Sequence, residues 1–246
     1  PPQPRSLFEA LSDTPDGNAP KFLAITAKAI SSLHRATIAV DTDSEFFHRK
    51  WGVVSTTQYQ TNATNFLASL IASMTVIYER DLLVRLVQGT TFLRTPPVGN
   101  ESNYTTDPYT VLGSGASFGQ LQEFSNYWSP GGGCGATCTG VVRALTMLIS
   151  GKSTSGASGI AWLTGLCSTS IGYSFSQLFI NSSTTASVSE ARLVGHELGH
   201  NFGSPHTHCY SPPIDNCFSN GGAGCYVGPA SCPASTTING VTNVRG

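Results

Sequence analysis

The chain has 246 residues, 39% of them hydrophobic, which is enough for a sizeable core in one large domain or two small ones. Charged residues make up only 11%, against about 25% in an average globular chain, and 57 Ser and Thr residues supply much of the polarity instead. The formal net charge is −1, with no run of Lys or Arg and no acidic block, so neither nucleic acid nor an anionic membrane is an expected partner.

The N-terminus, Pro1-Pro2-Gln3-Pro4-Arg5, lacks the basic and then apolar pattern of a signal peptide. Residues 1–34 are a Pro-rich segment of unknown role with a short helix expected over Phe22–Leu33. Nothing repeats at a fixed period and no low-complexity linker divides the remainder of the chain, so residues 35–246 are expected to form a single domain. Arg35–Asp41 is β-branched and bounded by polar residues, which predicts a strand. In Asn62–Tyr78 the apolar positions Phe66, Leu67, Leu70, Ile71, Met74 and Ile77 recur at helical spacing, the mark of a helix with one face in the core. The longest apolar run, Phe66–Tyr78, is interrupted by Ser69, Ser73 and Thr75. It falls short of the ~20 residues needed to cross a bilayer.

Leu82–Val87 is a further predicted strand, and the strand, helix, strand order favours a parallel pair with a crossover. Beyond a polar, Pro-rich stretch from Thr95 to Pro108, helices are predicted over Gly119–Trp128 and Val141–Ile149. The string Ile149-Ser150-Gly151-Lys152-Ser153-Thr154 has the tail of a phosphate-binding loop, but Thr146 stands where that motif needs glycine. Ile160–Leu163, hemmed by Gly159 and Gly165, reads as a short strand.

All seven cysteines (Cys134, Cys138, Cys167, Cys209, Cys217, Cys225 and Cys232) lie in the second half, at irregular spacings amid Gly, Pro and Ser. That pattern predicts loops stapled by disulfides in an oxidising, secreted or extracellular setting. The alternative, a structural zinc site using some of these thiols, lacks any pair at the two-residue separation usual in such sites. An odd count leaves one cysteine without a partner in the chain.

Four of the six histidines fall between His196 and His208. Upstream, Ser187 and Glu190 have capping-box spacing and start a helix whose Ala191, Val194 and Leu198 mark a buried stripe. His196 and His200 are then one turn apart, so both imidazoles leave one face at a separation that a single zinc ion can bridge. Glu197 is rotated by about 100° from His196 around the axis. It flanks the pair and suits a base acting on a metal-activated water rather than a ligand. In a continued helix His206 would lie about 9 Å beyond His200, so the chain must turn back. Gly203 can supply a C-terminal residue with positive φ, and Pro205 prevents resumption of the helix. Three neutral imidazoles with one position open is the catalytic form of a zinc site, so His208 is expected beside the site and not in it.

The string His196-Glu197-x-x-His200-x-x-Gly203-x-x-His206 resembles the metzincin clan of zinc endopeptidases, and its surroundings are similar to the reprolysin (adamalysin) branch. Val40-Asp41-Thr42-Asp43 with Glu45-Phe46-Phe47 resembles that branch's first strand and the segment after it. Tyr78-Glu79-Arg80-Asp81 resembles the end of its first long helix, and Gly159-Ile160-Ala161-Trp162-Leu163 its edge strand. The resemblance implies an α/β (α+β) fold with a twisted mixed sheet of about five strands, an antiparallel edge strand and a long active-site helix. A smaller, irregular, disulfide-bearing part would run from residue 204 onward. The resemblance also implies Zn2+ as cofactor on His196, His200 and His206, with Glu197 as catalytic base. A protein or peptide substrate would pair with residues 159–163, and the chain would act as a monomer.

One departure stands out. Metzincins carry a methionine-bearing turn after the third histidine, whereas Met74 and Met147 both precede it. With the odd cysteine, this leads to the expectation of a C-terminal continuation carrying that turn and an eighth cysteine. Sequons occur at Asn62, Asn100, Asn103 and Asn181, and no cysteine precedes Cys134 that could hold an N-terminal thiol on zinc. Two other functions fit the motif: a zinc-binding module of the same fold that has lost catalysis, and a zinc amidohydrolase acting on small molecules.

Overall fold

In a computed structural model the described residues are 32–102, 107–110, 118–152, 158–178, 182–214, 225–227, 237–238 and 241–242. The helix expected over Phe22–Leu33 therefore lies almost wholly outside them. Strand β1 (His34–Thr42) is followed by helix α1 (Ser44–Trp51), which the sequence reading missed although its signals are present. Asp43 caps it by accepting from the Phe46 amide, Glu45 sits in the first turn, and His48, Arg49 and Lys50 in the last. Helix α2 (Thr56–Leu82), capped by Ser55, is longer than predicted and crosses to β2 (Val84–Phe92), which pairs parallel with β1.

Helix α3 (Phe118–Trp128) agrees with the sequence reading, and a short α4 (Ala136–Thr139) comes after it. The helix predicted over Val141–Ile149 is wrong: Leu145–Ser150 is strand β3, with every residue buried. It lies at the centre of the sheet between β1 and β5 (Tyr173–Gln177), parallel to both. A central strand buried on both faces reads as a continuous apolar run, which periodicity alone cannot tell from a buried helix. Strand β4 (Gly159–Ala161) closes the edge antiparallel to β5, giving the order β2-β1-β3-β5-β4. The C-terminal stretch adds a small hairpin of β6 (Thr237–Ile238) and β7 (Val241–Thr242).

Alternate residues of each strand serve opposite layers. Ile38, Val40, Met147 and Ile149 pack with Phe66, Leu70 and Met74 of α2 and with Val194 and Leu198 of helix α5 (Val188–Asn201). Ala39, Leu148, Tyr173 and Phe175 pack on the other face against Leu121, Phe124 and Trp128 of α3. At the end of β1 the fully buried Asp41 accepts two hydrogen bonds from Arg94, at 2.9 Å each, and others from Tyr109 Oη and Trp128 Nε1. The chain beyond β2 is thereby tied to α3. Asn62 of the first sequon is buried in α2 and accepts from Gln58 Nε2 at 2.6 Å, whereas Asn100 is exposed. No helix among the described residues is long and apolar enough to cross a membrane.

Candidate metal centre

Helix α5 is fixed before its histidines are reached. Ser187 Oγ accepts from the Glu190 amide at 3.2 Å, and Glu190 Oε2 accepts from the Ser187 amide at 2.7 Å, the full capping box expected from the spacing. Glu190 Oε1 meets Lys50 Nζ of α1 at 2.7 Å with both side chains out of solvent. Burial alone would raise that carboxyl, but Lys50 and Ser187 outweigh it and hold Glu190 below its ordinary value. From α2, Tyr78 Oη donates to the Gly195 carbonyl at 2.7 Å, and its ring packs against Phe202.

The chain reverses where the sequence requires. Gly203 has φ 98°, and its amide donates to the His200 carbonyl at 2.9 Å. The turn brings His206 back over the helix. Its Nε2 lies 3.2 Å from Nε2 of His196, and one nitrogen from each of His196, His200 and His206 lies within 4.8 Å of the others. His200 Nδ1–H donates to the Ser204 carbonyl at 2.7 Å, which leaves its Nε2 lone pair for the shared point. Burial, then the neighbouring imidazoles, lower the proton affinity of His196 and of His206. Neutral rings with converging lone pairs are the donor set that a zinc ion accepts.

His208 is buried, with its ring nearly parallel to that of His206 and centroids 5.5 Å apart. His206, His208 and Cys209 form a second close grouping, but the Cys209 sulfur is bonded to Cys225 and offers no thiolate. Cys134 is likewise joined to Cys138, which removes those thiols from a structural zinc site. Among the described residues Cys167 is free and exposed.

Glu197 is 4% exposed, and burial pushes its carboxyl up to about 7. It lies in a cleft of about 470 Å³ between α5 and the sheet edge, lined by Ser158, Gly159, Ile160, Ala161, Leu193, Glu197 and the three histidines. Trp162 and Leu163, the other residues expected to pair with substrate, lie beyond those that line this cleft. The β4 ladder ends at Ala161, and Trp162 packs its ring on Phe118 and donates Nε1–H to Ser125 Oγ on α3. Asn201 was missed as a contributor. Fully buried, it donates Nδ2–H to the carbonyls of Trp162 at 2.7 Å and Tyr173 at 3.0 Å, tying the end of α5 to the edge of the sheet. Its position one residue after His200, facing inward on the helix, was the available signal.

A mixed sheet with an antiparallel edge strand, and a helix whose two histidines and buried glutamate meet a third histidine beyond the turn, is the arrangement of a metzincin-like protein. The chain belongs to metallo-peptidase family M12: the family's reprolysin model matches residues 32–240. None of the curated proteins matches. A solved structure described as "Structure of a chaperone-substrate complex" is similar at 12% identity with a TM-score of 0.41, over 69% of this chain and 23% of that one.

Proposed function

We propose that this chain is a secreted zinc endopeptidase that hydrolyses peptide bonds in proteins, with Glu197 as general base. One observation carries the reading: three imidazoles converge beside a buried carboxyl that is not itself in their grouping, at the edge of a sheet. His196, His200 and His206 would hold the zinc. Bound there, the ion supplies Lewis-acid activation of a water and of the scissile carbonyl. Glu197 takes a proton from the attacking water and returns it to the departing amine nitrogen. Burial raises the proton affinity of this carboxyl, which suits a group that accepts a proton and hands it on.

Among the described residues strand β4 pairs with β5 along one side only, so an extended substrate can add as a further strand and run past the histidines. Asn201 ties α5 to the residue that follows the edge strand, while Tyr78 ties α5 to α2. Secretion is supported by the Cys134–Cys138 and Cys209–Cys225 disulfides, which persist in oxidising compartments. The test is cleavage of a mixed peptide library with and without chelator, beside Glu197→Gln. Cleavage lost to chelator, restored by zinc and largely abolished in a variant that keeps its zinc supports the reading. Zinc binding without cleavage identifies an idle module, and hydrolysis of small amides alone identifies an amidohydrolase.

A further inference from the structure

Gly159 opens the edge strand, and neither its backbone nor its place in the groove explains why it lacks a side chain. Its φ lies outside the left-handed region, unlike that of Gly203, so conformational freedom is not what the position uses. In the β4 ladder it stands opposite Ser176, and the pleat aims residue 159 at α5. A Cβ added there would lie 2.5 Å from the carboxyl carbon of Glu197 and 2.6 Å from its Cγ, and closer still to Oε1. The three nearest atoms all belong to that one side chain.

Something would have to move, and the surroundings decide what. The strand cannot retreat, because the Gln177 amide donates to the Ser158 carbonyl at 2.7 Å and the Trp162 amide to the Tyr173 carbonyl at 3.2 Å. The helix cannot retreat either, since Tyr78 Oη holds the Gly195 carbonyl and Asn201 holds the Trp162 carbonyl. The mobile party is the Glu197 carboxylate, which a few torsions can swing away from the strand.

We infer that Gly159 is a positioning residue: its missing side chain is the space against which the Glu197 carboxylate is seated. This rests on Glu197 being the general base. A displacement of about 1 Å in a reacting group costs about a hundredfold. Gly159→Ala is therefore expected to lower kcat by about that factor, with a far smaller change in KM and one zinc still bound per chain.

A stability cycle on the metal-free protein reads the same contact without activity. Gly159→Ala should shift Tm by a different amount in the wild-type background than in Glu197→Ala, where the collision is gone. Equal shifts in both backgrounds, or wild-type kcat in Gly159→Ala, would overturn the inference. If the wild-type protein cleaves no peptide, the peptidase reading fails by itself, and the cycle still decides whether Gly159 seats Glu197.

Discussion

Replacing Glu197 by Gln should make the metal-free protein more stable, and only above mildly acidic pH. The native carboxyl has its proton affinity raised from 4.5 to about 7 because burial withholds water from the charged form. Below pH 4.5 the group is protonated in both folded and unfolded chains and costs nothing. Between there and pH 7 the unfolded chain releases its proton while the native state keeps it, so stability falls as pH rises; above pH 7 the loss is constant. Each tenfold change in proton affinity is ~1.4 kcal/mol, so the full loss is about 3 kcal/mol. Gln fills nearly the same volume and never ionises. Urea denaturation of both proteins in the presence of chelator at pH 4 and pH 8 should give equal stabilities at the lower pH and an advantage of about 3 kcal/mol for Glu197→Gln at the higher. Equal stabilities at pH 8 would refute the claim that the proposed base is desolvated.

Asn201→Ala should cost about 2–4 kcal/mol, because the Trp162 carbonyl loses its amide donor and the Tyr173 carbonyl one of two. Hydrogen exchange should quicken at the Trp162 and Thr164 amides while the β1 and β3 amides keep their protection. Lys50→Met should cost about 3–5 kcal/mol by stranding the buried Glu190 carboxylate, and adding Glu190→Gln, which retains the capping oxygen, should recover most of the loss. A Lys50→Met urea midpoint close to that of the wild type would contradict this account of how α1 holds the start of α5.

How much of this was legible in the sequence varied with the kind of signal. The histidine-bearing helix was written twice over, in the Ser187–Glu190 cap and in the periodic Ala191, Val194 and Leu198, and the turn at Gly203 followed from the impossibility of His206 on a straight helix. β3 was misread because a strand flanked on both sides and covered on both faces shows no alternation. β5 was missed because Ser174 and Ser176 read as exterior residues yet are buried in the sheet. The roles of Asn201 and Gly159 depend on helix and edge strand meeting, a contact between segments separated by some forty residues of chain that no local pattern encodes.

X-ray absorption at the zinc edge, on protein purified without added metal and quantified for metal content, tests the central claim most directly. The account predicts one zinc per chain with a first shell of nitrogen and oxygen scatterers at about 2.0–2.1 Å and the multiple scattering of imidazole rings. Sulfur at about 2.3 Å, or an absence of stoichiometric zinc, would contradict it.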